Sequence, residues 1–238
     1  MKNKKGFTLA EVLITLGIIG VVAALTIPTL SQNATERSTV VATKKIFSIL
    51  SSAYKRAEQE DGNPTQWDLT FAVDGSDMLN KIKPYLQIAK DCTDLSSGCW
   101  STDRYKGLDS SLQMDYDGET TMRLVDGTLI FASVWDGDCA LSIGNSLALQ
   151  NICGQYLVDI NGAKKPNQHG KDLFGFWLTK YGIVPAGSAQ EAADTFDNNC
   201  RDKATQVGSS CAAWLIYNDN MDYLHCNDLS WAGKSKCN

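Results

Sequence analysis

From Phe7 to Leu30 the chain is almost wholly apolar, and Glu11 is the one charge in the run. Its 24 residues, at about 1.5 Å of helical rise each, reach roughly 36 Å, enough for a bilayer core about 30 Å thick. Lys2, Lys4 and Lys5 lie immediately before it. By the positive-inside rule these lysines hold the N-terminus in the cytoplasm, so everything after Leu30 is expected on the outer side of the membrane.

Glu11 is out of place in a plain anchor. A carboxylate in an apolar helix costs up to about 3 kcal/mol at the bilayer centre, and such a group marks a function whose partner should be named. A natural partner is the free α-amine of a neighbouring copy, which requires the chain to be cut just before Phe7. An ordinary secretory signal is the competing reading, because Val22-Ala23-Ala24 offers the small residues of a signal-peptidase site. Against it, Glu11 interrupts the apolar run, and the run continues past that site.

A short basic leader followed by Gly6-Phe7-Thr8-Leu9-Ala10-Glu11 and the apolar run resembles the processing site of type IV pilins and type II secretion pseudopilins. The resemblance covers only the first 30 or so residues, roughly the length of one membrane-spanning helix and its leader. It implies that a prepilin peptidase cuts between Gly6 and Phe7 and that Phe7 becomes an N-methylated terminus. It also implies that Glu11 neutralises the amine of an adjacent subunit during assembly, and that Pro28 bends the helix as a proline does in many type IV pilins. Ala10 departs from the larger apolar residue common in the family, without touching the cleavage chemistry. The partners implied are copies of itself and other pilins in a filament, the peptidase, the inner-membrane assembly machinery, and the membrane before assembly. The implied location is the inner (cytoplasmic) membrane, single-pass, and then an extracytoplasmic or cell-surface filament. The alternative is a monomeric surface-binding protein, membrane-anchored or secreted and adhesin-like.

The rest of the chain fits an exported body. The formal net charge of −5 becomes −8 once the three leader lysines are removed, which argues against broad nucleic-acid binding. All eight cysteines lie beyond residue 90, as expected of disulfides made in an oxidising compartment. Connectivity does not follow from sequence. Close spacing within couples motivates sequential pairing: Cys92 with Cys99, Cys139 with Cys153, Cys200 with Cys211, and Cys226 with Cys237. Loops this short would each stabilise by roughly 2–3 kcal/mol on the chain-entropy model. Zinc is disfavoured, because no C-x-x-C occurs and His169 and His225 are not at finger spacing.

Patterning divides the chain into a leader (1–6), an assembly helix (7–30), an amphipathic continuation (31–61) and a body (62–238). Val40, Phe47, Leu50, Tyr54 and Ala57 form an apolar stripe at helical spacing, and Asp61-Gly62-Asn63-Pro64 stops the helix. Residues 62–113 read as a loop-rich connector with one short helix, capped by Ser76-Asp77 and carrying Leu79, Ile82, Tyr85 and Leu86 on one face. Strand signals begin near Leu112. Asp117-Gly118 and Asp126-Gly127 are hairpin turns, with strands expected at 120–125, 128–135, 156–160 and 172–180. Residues 189–196 read as helical and 211–217 as a buried segment, helix or strand. The class is α+β: a long N-terminal helix on an antiparallel sheet, with a disulfide-bonded C-terminal part.

One loop is dense in oxygen ligands: Asp159, Asn161 and Asp172 are its candidates for calcium, which takes 6–8 oxygens. It fails the EF-hand pattern at Ala163 and Lys164, and Lys164, Lys165 and Lys171 repel a cation. The competing reading is a long hairpin loop using Gly, Pro and Asn as turn residues. No catalytic arrangement emerges: two histidines give no triad, no Gly-rich phosphate loop is present, and no enzymatic activity is expected. Of Trp67, Trp100, Trp135, Trp177, Trp214 and Trp231, most are expected to pack in the core or cover disulfides.

Overall fold

A computed structural model describes residues 8–71, 75–92, 99, 104–110, 113–114, 120–192, 195–201 and 207–237. The chain divides into two compact units, one up to Ser38 and the other from Thr39. Helix α1 (Leu9–Asp61) contributes to both. It ends where Gly62, at φ +78°, donates its N–H to the carbonyl of Glu58 at 3.1 Å, the left-handed stop that glycine adopts without a Cβ penalty.

In the first unit no described residue is buried. In the second, α1 buries Thr39, Val40, Thr43, Ile46, Leu50, Ala53, Tyr54 and Ala57. The stripe is wider than the spacing of the large side chains suggests, since Ile46 and Ala53 belong to it. Phe47 is half-buried and stacks on Phe176 at 6.0 Å. An apolar face of this width is what a helix lying on a sheet requires.

That sheet has six antiparallel strands: β1 (Ile88–Cys92), β4 (Thr120–Leu124), β5 (Leu129–Val134), β6 (Ile152–Asp159), β7 (Leu173–Thr179) and β8 (Gly182–Pro185), neighbours in that order. A separate pair, β2 (Tyr105–Lys106) and β3 (Gln113–Met114), is also antiparallel. The central strands are buried on both faces, so β7 is buried along its whole length. Alternate residues sort into two cores, as the period of two dictates. Ile130, Ala132, Tyr156, Val158, Phe174 and Phe176 join the α1 side. Leu129, Phe131, Leu157 and Leu173 meet Tyr105 on the other face, and Ile152 and Trp177 meet Ile143, Leu149 and Ala186 there. Helix α2 (Ser76–Ile82) buries Met78, Leu79 and Ile82. Helix α3 (Ala212–Asn218) brings Trp214 onto Phe196 at 4.2 Å. Four disulfides join Cys92 to Cys99, Cys139 to Cys153, Cys200 to Cys211 and Cys226 to Cys237.

The α+β architecture matches the sequence reading; several local expectations do not. Gly75, not Ser76-Asp77, occupies the N-cap of α2 without a side-chain bond, and Asp77 instead accepts the N–H of Thr70 at 3.2 Å. The helix stops at Ile82 because Pro84 begins a 3-10 turn, Lys83–Tyr85, where its missing N–H is harmless. Strand β1 lies in what reads as a connector, and β8 escapes notice altogether. Residues 189–192 are not helical: Glu191 makes a β-bridge with Gly144, and a helical turn, Asp197–Arg201, begins later. The ambiguous segment after Cys211 is helix. The Asp117-Gly118 turn lies outside the described residues.

Candidate functional site

Gly6 and Phe7 also lie outside the described residues. The first turn of α1 begins beside them. Thr8 donates its backbone N–H to Glu11 Oε2 at 2.8 Å and its hydroxyl to the same oxygen at 2.9 Å. The Glu11 N–H returns a bond to Thr8 Oγ1 at 3.3 Å. This is a reciprocal capping box, in which side chains satisfy N–H groups that a helix start leaves unpaired. Its signature, Thr-x-x-Glu ahead of an apolar run, is present in the sequence, but weighing Glu11 only as an intermolecular group passes over it.

Beyond that turn the helix suits lipid. Leu9, Leu13, Ile14, Ile18, Val21 and Leu25 are all more than half exposed. The helix is long and apolar enough to cross a membrane, with a mean hydropathy of 2.3 over its best window. Its threonines do not present bare hydroxyls: Thr15 bonds the carbonyl of Val12 and Thr26 that of Val22, each at 2.9 Å. Such back-bonding satisfies groups that hydrocarbon cannot. Pro28 lies inside α1, where it supplies no N–H to the carbonyl four residues before it, a local weak point in the ladder.

The structure brings Asp159, Asn161 and Asp172 together at the end of the β6–β7 hairpin. Asp159 is fully buried and Asp172 nearly so. Asp159 accepts the Tyr105 hydroxyl at 2.8 Å and the Asn161 N–H at 3.1 Å. Asp172 accepts the N–H groups of Asn167 (2.8 Å) and Gln168 (2.6 Å), and the Asn161 side-chain amide at 3.1 Å. Burial first, and the charge of Asp172 second, push Asp159 up to about 8, against the bonds that favour its ionised form. Burial also raises Asp172. Of the three side chains, only Asn161 Oδ1 is a buried oxygen without a hydrogen-bond donor. The carboxylate oxygens face N–H and O–H groups, whose positive ends would also face a cation. Among the described residues no group of three or more His, Cys, Asp or Glu is placed to hold a metal. The bonds that Asp159, Asn161 and Asp172 make form a hydrogen-bond hub that pins the loop to Tyr105.

Trp67, Trp177 and Trp214 are core residues, and Trp135 and Trp231 are partly buried against them. Trp100 lies outside the described residues. His169 is buried, which lowers its pKa to about 3 and leaves it neutral at physiological pH. An open groove of about 690 Å³ on α1 is lined by Phe47, three serines, Lys55, Arg56 and Gln59, a solvated helix face without converging chemistry.

Residues 1–27 match the family model of the prokaryotic N-terminal methylation motif, the signature of type IV pilins and pseudopilins. Comparison with curated proteins and with solved structures finds no match.

Proposed function

We propose, from the methylation signature in residues 1–27, that this chain is a structural filament subunit of the type IV pilus or type II secretion pseudopilus kind. The observation that carries the reading is that signature, set at the head of an exposed apolar helix of lipid-spanning length whose first turn is closed by the Thr8–Glu11 capping box. The precursor inserts with its leader in the cytoplasm, prepilin peptidase cuts after Gly6, and Phe7 is methylated. The cut leaves the N–H and hydroxyl of Thr8 in place. In the membrane the Glu11 carboxylate is thus solvated by its own helix end, where the partial positive charge of the N-terminus also favours it.

Assembly then exchanges helix–lipid contacts for helix–helix contacts. Glu11 trades its local donors for the α-amine of the neighbouring Phe7, an attraction that low dielectric strengthens. Head-to-tail contacts that do not close produce an open helical polymer. The family that carries this motif is structural rather than catalytic, and the acidic body suits a solvated fibre surface.

The test is Glu11→Ala. The variant is expected to remain in the membrane and be processed, but to be missing from sheared or purified fibres. Incorporation at the wild-type level would sink the assigned role.

A further inference from the structure

Charge is spread unevenly over the second unit. One end of its sheet carries the β4–β5 turn and the loop 160–172 that joins β6 to β7. The two lie together, since a Cβ on Gly162 would fall 2.5 Å from the carbonyl oxygen of Gly127. Helix α1 reaches the same end, where Lys45 meets Asp126 at 2.8 Å. So does the segment 104–110: the Lys106 N–H donates to the carbonyl of Asn167, and the Lys106 carbonyl accepts from His169, each at 2.9 Å. Lys106, Lys164 and Lys165 are exposed there, and Lys171 is half-buried. Among the described residues Lys106, Lys164 and Lys171 form no ion pair. Acids of this end are largely engaged. Asp126 is held by Lys45, Asp219 by Lys44, and Asp159 and Asp172 by the buried hub; Asp109 is exposed nearby.

Apolar side chains are bare at this end too. Val125, next to Asp126, is 62% exposed, and Val41, one helical turn before Lys45 on the same face, is 68% exposed. The opposite end of the sheet has the reverse character. Asp68 and Asp138 are exposed and Asp136 half-buried, and they come together because Gly137 packs against the carbonyl of Leu69. Among the described residues these three form no ion pair, and Lys180 lies at the same end, before the β7–β8 turn.

We propose that the end bearing Val41, Val125 and the lysines of segments 104–110 and 160–172 docks on the anionic phospholipid headgroups of the membrane that holds the precursor. The inference rests on the membrane-anchored precursor of the proposed function, and not on fibre assembly. Three observations select this occupant. Val41 follows Leu30, the end of the apolar run, by eleven residues, so the surface is tethered close to lipid. The chain without its leader lysines carries a net −8, so an anionic bilayer repels the body as a whole and attracts it only where unpaired cations gather. Exposed valines among lysines are the pattern of an interfacial contact, in which side chains enter the headgroup boundary while cations meet phosphate; a polyanion in solution would need the lysines alone. The surface is also preformed, because Asp172 holds the N–H groups of Asn167 and Gln168 and so fixes the loop that presents Lys164 and Lys171.

The test places the full chain, one copy per disc, in nanodiscs of phosphatidylcholine and in nanodiscs of equal parts phosphatidylcholine and phosphatidylglycerol. Both carry a headgroup spin label, and valine methyl groups are observed by NMR. Each lysine at an anionic surface is worth roughly fivefold in binding. The relaxation enhancement of the Val41 and Val125 methyls should therefore be at least about fivefold larger in the phosphatidylglycerol discs, with Val134, at the other end of β5, unchanged. Lys106→Glu/Lys164→Glu, which alters two exposed side chains, should remove the difference. So should about 1 M salt on the wild type, where the screening length falls to about 3 Å. Equal enhancement in both discs, or a difference that survives the charge reversal and the salt, would overturn the docking surface. An enhancement that appears only with two copies per disc would assign the surface to a second copy and overturn it as well. A chain that does not enter discs at all would sink the anchored precursor and the docking with it, whereas an anchored chain without the charge-dependent enhancement sinks the docking alone.

Discussion

Leu9–Leu30 and Thr39–Ala57 lie on one helix, but their apolar side chains end in opposite situations. Leu9 is 79% exposed and Leu25 72%, whereas Leu50 is 1% exposed and Tyr54 fully buried. The later stretch has found its partner within the chain: Phe47 stacks on Phe176, and the Tyr54 hydroxyl donates to the carbonyl of Lys180 at 2.9 Å. Among the described residues of its own unit the earlier stretch has no such partner; on the proposed function, lipid or other copies cover it. Polar groups follow the same division. Glu11 turns to Thr8 within its own helix, while Lys44 and Lys45 reach Asp219 and Asp126 in the body at 2.7 and 2.8 Å. If the first stretch serves association, as proposed, and the second serves folding, a substitution in one should leave the other's property intact.

The sharpest break in that comparison is Glu11→Ala, which should abolish fibre incorporation while leaving the melting temperature of the second unit unchanged in a thermal scan. A fall of several degrees would mean that the two stretches are not separable. Next comes Trp214→Ala, which removes a fully buried ring stacked on Phe196. It should cost about 3–5 kcal/mol in denaturant unfolding, with membrane insertion unaffected. The buried acid of the loop hub gives a smaller effect. Because Asp159 is raised to about 8, it contributes stability that is full below about pH 4 and is lost as pH rises towards 8. The melting temperature should therefore fall between pH 5 and pH 8, and less steeply in Asp159→Asn. A rise with pH would reverse the sign argued for burial. Smallest is Lys45→Ala: its pair with Asp126 is largely solvated, so the loss should stay within about 1 kcal/mol in the same denaturant assay.

The legible parts of this fold are those fixed by local pattern. The 24-residue apolar run and the stripe through Leu50, Tyr54 and Ala57 specify α1, and Asp126-Gly127 marks the β4–β5 hairpin. Strand β1 is harder to see because Ile88-Ala-Lys-Asp-Cys92 lies at a sheet edge, paired on one side only, and its Ala89 and Lys90 are both exposed. Strand β8 is the other edge, four residues long and ending in Pro185, a residue that edges tolerate and central strands do not. At the candidate sites the same division holds. The Thr8–Glu11 box is contiguous in sequence and could have been read. The burial of Glu191 could not be read: acids are usually solvated, and its partners Trp177 and Gly144 lie on other segments. Asp159, Asn161 and Asp172 share a loop that sequence shows plainly, but the Tyr105 hydroxyl that engages Asp159 comes from 54 residues away.

The most direct test of the assembly account is the mass of the N-terminal peptide of the mature protein isolated from membranes. A peptide beginning at N-methylated Phe7 is the predicted result, since only a cut after Gly6 creates the amine that Glu11 is argued to meet. A start at Met1, or after Ala24, would remove that amine or the whole first stretch. It would contradict the filament-subunit reading in favour of an anchored or secreted surface-binding protein.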